Sequence, residues 1–334
     1  MRLPTNRAKV ATLAIVLAAV VALPWWATDL YQVHLGTLIA IYWILIAGLN
    51  LVVGYSGQLS IGHVGLLALG AYTYAILTGT YGVAPYAALA AAGGAGGLCG
   101  LLLGLPSLRL PGFYFAMATI AFALIVSEIT LAQSGLTGGG AGMAVTALPA
   151  PFATPAGLYA FAAGLAAGVT WITWNVVRHG WGRALIAIRD STIAAQAVGV
   201  PVLRAKLDVF VLSGVTAGVS GALFAILQSY VTPDTFAFDL GLFFFVCIII
   251  GGRGSIAGPL LGTAVLTALP EMAAPLAKLG NLLYGILLLV VVLLVPEGIG
   301  HVVTKLSERR AGRITAELSP DLARLARAVR GVAR

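Results

Sequence analysis

Glu128 is the only ionisable side chain set well inside a long apolar run of this 334-residue sequence. A carboxylate so placed is either a snorkelling or hydrogen-bonded structural group, or a contact for something polar that passes it. No second acid or base accompanies it for the paired work of a hydrolase. The four histidines, His34, His63, His179 and His301, are scattered along the chain. Cys99 and Cys247 have no metal-ligand spacing, and neither a GxxxxGK[ST] phosphate loop nor a GxSxG elbow occurs. Catalysis by this chain is therefore not expected, nor is a metal or cofactor of its own. The same scarcity of charge argues against an ion-coupled transporter. What the sequence offers instead is small residues: Gly54, Gly57, Ser60, Gly62, Gly65 and Gly70 fall two to five apart within "GLNLVVGYSGQLSIGHVGLLALGAY", residues 48–72. Close helix packing uses such residues, but around "GYSGQLSIG" their density also fits a broken helix whose free backbone groups line a polar path.

The elements that carry these residues are membrane helices. The chain is 60% hydrophobic and 9% charged, with a mean hydropathy of +1.01, whereas soluble domains carry about 25% charged residues. Runs long enough for a bilayer, roughly 20 residues each, lie near 10–28, 33–53, 64–80, 85–105, 112–132, 155–177, 207–229 and 281–297. Residues 239–270 are too long for one span and are cut by "GGRGS" at 251–255, which gives two short segments joined by a turn or a re-entrant loop. About ten crossings result, with both termini on one side. Placing them in the cytoplasm puts 18 of the 19 Lys and Arg residues inside, Lys278 alone outside, as the positive-inside rule asks. The net charge of +8 thus reads as orientation and lipid contact, not nucleic-acid binding. Trp25 and Trp26 mark the first run as an uncleaved span and not a signal peptide.

Two connecting stretches are long enough to have work of their own. Residues 133–154 are Gly/Pro-rich and uncharged, either a plain connector or an outer loop packed against protein or a docking partner. On the other side, 178–206 reads as one amphipathic helix from Arg183 to Val198, with Leu185, Ile188, Thr192 and Ala195 as its apolar stripe and Gly199 and Pro201 as its stop. That stripe needs a cover, lipid headgroups or another protein. The division is a membrane domain over 1–300 and a basic amphipathic tail over 301–334, which suits anionic lipid. An internal echo links "VVGYSGQLSIG" (52–62) with "IIGGRGSIAG" (249–258): each has GxxG after an aliphatic run, then Ser-Ile and another small residue.

From about residue 35 to 300 the sequence resembles the longer of the two inner-membrane permeases of branched-chain amino acid ABC transporters. The residues that carry the resemblance are the 48–72 stretch, "RLPGFYFAMATIAFA" (109–123), "TGGGAG" (137–142), "WGRALIAIRDSTIAAQAVGV" (181–200), "KLDVFVLSGVTAGVSGALFA" (206–225) and "IIGGRGSIAGPLLG" (249–262). The resemblance implies an all-α ABC importer permease fold in a bacterial inner membrane. It also implies a second permease as heterodimer partner, two cytoplasmic ATPases that consume ATP, and a soluble binding protein that delivers the cargo. Asn50, Gly54, Gly57, Ser60, Gly62, Thr119 and Glu128 become candidates for the translocation path. Gly182, Arg183, Arg189, Asp190, Ala194, Ala195 and Gly199 become candidates for a coupling helix seated on the ATPase. Thr137, Gly138, Gly139 and Gly142 match the outer-loop motif, while Ile193 stands where the wider superfamily often has an acid. Similar permeases serve urea or short amides, and a stand-alone channel is the alternative from another class. Spans so poor in charge imply a weakly binding passage of Gly, Ser and Thr, with affinity held by the binding protein.

Overall fold

The computed structural model describes residues 29–110 and 112–272. The expected spans 10–28 and 281–297, the Trp25–Trp26 anchor, Lys278 and the tail helix lie outside them. Helix α1, Leu30–Asn50, runs into a single π turn, Leu51–Tyr55, and then leaves helical geometry until α2, His63–Gly79. Next come α3, Pro85–Gly104, and α4, Gly112–Ala132. The short α5, Ser134–Thr137, opens the outer loop. Helix α6, Pro155–Arg178, starts where the Thr154 side chain accepts from Gly157 N with Pro155 in the first turn, a favourable start on both counts. There follow α7, Gly180–Asp190, α8, Thr192–Ala197, and the long α9, Val202–Gln228. Last are α10, Phe238–Gly251, and α11, Ala257–Met272. A strand pair, Met143–Ala144 (β1) with Tyr230–Val231 (β2), is antiparallel with Met143 opposite Val231. Six helical runs among the described residues are long and apolar enough to cross a membrane.

The core lies along α1 and α9, the two runs with the largest share of buried residues. In lipid there is little hydrophobic drive between helices, so they associate where backbones can come close. Helices α3 and α9 do this through Gly96 and Gly100 facing Gly214 and Gly218: a Cβ on Gly96 would overlap the Gly214 carbonyl oxygen, and one on Gly214 the Gly96 carbonyl oxygen. Single hydrogen bonds pin the other crossings. Ser220 Oγ donates to Ile41 O at 2.7 Å, and Trp43 Nε1 to Thr170 Oγ1 at 2.7 Å. Each joins a polar atom that would otherwise be stranded in an apolar core.

Helices α10 and α11 form a hairpin that turns at 252–256. At 14 residues, α10 is about 21 Å long by itself. This bears out the reading of 239–270 as two short segments. The region 183–198 departs from expectation: it is two helices, not one. Ser191 is extended at φ −161°, ψ 113°, and its side chain accepts from Ala194 N to start α8. "Asp-Ser-Thr" offers this N-cap in mid-run, and a cap residue competes with helix continuation.

Candidate functional site

The helices alternate between two ends. One end gathers 56–62, the turn at 105–112, α7, α8 and the hairpin turn. The other gathers 80–84, 133–154 and 229–237. All seven Lys and Arg residues of the described chain, from Arg109 to Arg253, lie at or beside the first end.

At that end the two echoing segments meet. Asn50 Nδ2 donates to Ser255 O at 2.8 Å, and a Cβ on Gly54 would stand 2.7 Å from Gly254 N. Arg189 of α7 closes the junction: its Nη1 donates to Gly54 O at 3.0 Å. That carbonyl sits in the π turn, where a helix breaks off and leaves acceptors to fill. Gly57 has φ +73°, and a Cβ there would stand 2.5 Å from Arg189 Cγ. One side chain therefore touches the break after α1, the hairpin turn and, through its backbone, the α7–α8 arm. The Asp190 carboxylate lies 3.5 Å from Arg189 Nε.

The path candidates separate into groups. Asn50, Gly54 and Gly57 belong to this junction. Ser60, Gly62 and Thr119 form a second, closed contact: Thr119 Oγ1 accepts from Ile61 N and Gly62 N at 3.1 and 3.3 Å. Ser60, fully buried, hydrogen-bonds His63 Nδ1 at 2.8 Å, and His63 Nε2 meets Ser213 Oγ at 2.7 Å. A Cβ on Gly62 would overlap the Thr119 carbonyl, and one on Gly70 the Gly218 carbonyl. Packing thus accounts for Gly62 and Gly70. His63 escaped the sequence reading; the one signal was a Ser three residues before a His at a helix start. Its contact with Ser213 fastens α2 to α9, and its contact with Ser60 ties the preceding loop to the start of α2. Ser213→Ala strands one ring nitrogen, at a cost of about 1–3 kcal/mol. A lower thermal unfolding midpoint with unchanged uptake kinetics is the expected result.

Glu128 joins neither group. It is exposed on the outer face of α4 beside Leu124, Ile125 and Ile129, each more than half exposed. The outer loop is tied down by its own motif. Thr137 Oγ1 donates to Thr130 O and Gln133 O at 2.6 and 2.9 Å and accepts from Gly139 N. Gly138, Gly139 and Gly142 all have positive φ, and Tyr230 Oη donates to Ala141 O. Thr137, Gly139 and Leu148 of the loop are buried against this chain, and most of its other residues are exposed.

The α7–α8 arm corrects the expected stripe. Leu185, Ile188 and Ala195 are 0%, 3% and 2% exposed, covered by the chain itself, whereas Ile193 and Val198 are 81% and 77% exposed. The most exposed apolar surface of the arm is thus Ile193 and Val198, with Trp181 and Ile186 of α7 less exposed beside them. Gly182 is buried in the turn from α6, where a Cβ would overlap the Val177 carbonyl. Arg183, Ala194 and Gly199 are exposed, Gly199 with φ +83° and open space around it. Arg189 is also exposed at the end of the bundle, with its Nη1 turned toward Gly54 O.

Apolar crossing helices, a helix break met by a short-helix hairpin, and an arm fastened to that break define a polytopic membrane protein of the transport class. The chain belongs to the family described as the permease component of branched-chain amino acid transport systems, whose model matches residues 31–294. It is 32% identical over 308 residues to the high-affinity branched-chain amino acid transport system permease protein LivM of Salmonella typhimurium, covering 84% of this chain and 72% of that one. The Escherichia coli protein of the same name is 32% identical over 315 residues, 86% of this chain and 74% of that one. A shorter likeness, 30% over 97 residues, links 27% of the chain to 28% of the L-arabinose ABC transporter permease protein AraH of Azospirillum brasilense. No solved structure matches.

Proposed function

We propose that this chain is a permease subunit of an ATP-driven importer for branched-chain amino acids, working with a second permease, two ATPases and a soluble binding protein. The two relatives named LivM and the family description support the cargo class. The end that gathers the described Lys and Arg residues faces the cytoplasm by the positive-inside rule, with both termini on that side and about ten crossings in all. The single observation that carries the coupling role is the pair Ile193 and Val198, exposed at the tip of an arm whose root is held by Arg189 against Gly54. An ATPase groove covers that tip, and its movement reaches the break after α1 through Arg189. The path runs past the junction of Asn50, Gly54 and Gly57, and the Glu128 face of α4 lies against the second permease.

Ala195 is unsuited to test docking, because a charged side chain there would disturb the chain's own packing. Ile193→Asp with Val198→Asp leaves the buried stripe intact. The expected outcome is normal membrane level, loss of ATPase subunits on purification and at least a tenfold fall in uptake, since each exposed apolar anchor contributes about 1–2 kcal/mol to such a contact. Unchanged copurification and unchanged ligand-stimulated ATP hydrolysis would remove the docking role.

A further inference from the structure

Helices α4 and α6 are the least buried of the crossing runs, but their open faces differ in kind. On α4, Phe113, Met117, Ala121, Leu124 and Glu128 recur three and four residues apart and are all exposed, so one helical face carries them from end to end. The open face of α6, with Trp171 and Ile172, holds no acid or base before Arg178 in its last turn. Lipid covers such a face well, but it cannot do the same for α4. With 21 residues, α4 is about 31 Å long, close to the thickness of a hydrocarbon core. It starts at the end that gathers Lys and Arg, and Glu128 lies four residues before its other end, about 6 Å inside. Helical side chains lean toward the N-terminus of their own helix, so the Glu128 carboxylate tilts toward the middle of the bilayer and away from the outer headgroups. Its two methylenes do not carry it back over the last turn, as the longer stems of Lys and Arg would.

A carboxylate at that depth needs a partner. Among the described residues the one ion pair is Arg189 with Asp190, and all seven described Lys and Arg residues lie at or beside the opposite end. None of them serves Glu128. A second copy of the chain does not solve the problem, because a two-fold contact on this face sets Glu128 against Glu128, and like charges facing each other repel. We propose that the outer half of α4 docks on a helix of the second permease that presents a Lys or Arg to Glu128. Leu124, Ile125 and Ile129, each more than half exposed, surround the carboxylate and close the pair off from lipid and water, as apolar neighbours do around a central interface contact. The contact rests on the permease reading above and deepens it. It names the charge that the partner must carry, and it gives a reason for two different permeases to assemble where two copies of this one would not.

The test uses the assembled importer of two permeases and two ATPases in native membranes. A photo-crosslinking phenylalanine analogue replaces Leu124 of α4 in one sample and Trp171 of α6 in another. The first is expected to cross-link to the second permease, the second to lipid alone. Glu128→Gln should weaken copurification of the second permease about tenfold, and Glu128→Lys should abolish it, as the loss and the reversal of one interfacial charge pair. The Lys or Arg found beside the cross-link is then changed to Glu. Combined with Glu128→Lys it should restore assembly, which a defect in the fold of this chain would not allow. Cross-linking of position 124 to a second copy of this chain, or to lipid alone, overturns the contact. Parental copurification in either Glu128 variant, or failure of the charge exchange to restore assembly, overturns it as well. Uptake of leucine delivered by the binding protein is measured alongside. Uptake without the cross-link overturns the contact and leaves the permease reading standing; the cross-link and its charge exchange without any leucine uptake do the reverse.

Discussion

Gly96→Leu is expected to remove folded protein from the membrane, while Gly94→Leu, two residues away on the same helix, leaves its yield unchanged. The Gly96 Cα lies against the Gly214 carbonyl and the Gly218 backbone of α9, whereas a Cβ on Gly94 meets nothing within 4 Å. Overpacking costs about 1–3 kcal/mol where side chains can yield. Here the obstacle is backbone in a second helix, so α3 and α9 must separate, and the contacts of the central helix go with them. That loss is comparable to the whole stability of a domain, about 5–15 kcal/mol. Fluorescence-detected size exclusion of the two variants, beside the parent, is the measurement. A sharp peak at parental height for Gly96→Leu would show that the α3–α9 crossing does not hold the fold together.

Gly57→Leu should abolish uptake while the protein still inserts and assembles. The residue is exposed at the end of the bundle, so the core does not depend on it. Two costs converge on it. A non-glycine residue at φ +73° loses about 1–2 kcal/mol of backbone energy, and its Cβ meets Arg189 Cγ. The chain relieves both by rotating out of the left-handed region and expelling Arg189 from Gly54 O. The arm is then disconnected from the break. Arg189→Ala should reproduce this loss without strain at residue 57: uptake falls at least tenfold, ATPase subunits still copurify, and their hydrolysis no longer responds to delivered ligand. Arg189→Lys recovers little, since an ammonium on a shorter stem falls short of Gly54 O. Uptake at parental level in Gly57→Leu would dismiss the junction as a mechanical link, and coupled hydrolysis in Arg189→Ala would dismiss Arg189 as its agent.

Much of this architecture was already written in the order of residues. Runs of about 20 apolar residues separated by Gly, Pro and charge can only be crossing helices in a bilayer, because every backbone group must be satisfied within its own segment. The places of α1, α3, α4, α6 and α9 followed, as did the break after α1, the cut at "GGRGS" and the side on which Lys and Arg gather. The echo between 52–62 and 249–258 was legible as a pattern, but only folding brought its halves into contact through Asn50, Ser255, Gly54 and Gly254. Tertiary structure alone decided which small residues serve packing. Gly62, Gly70 and Gly96 have the same local signature as Gly57, and nothing within a segment tells whether a second backbone or an Arg side chain will lie against it. It also decided the arm. Helical spacing put Leu185, Ile188 and Ala195 on one stripe correctly, yet periodicity says only that a face is apolar, not whose surface covers it. The Ser191 cap turned α8 so that Ile193 and Val198 face outward, and Arg189, read as a coupling-helix residue, reaches across to an acceptor that a π turn 135 residues earlier had left open.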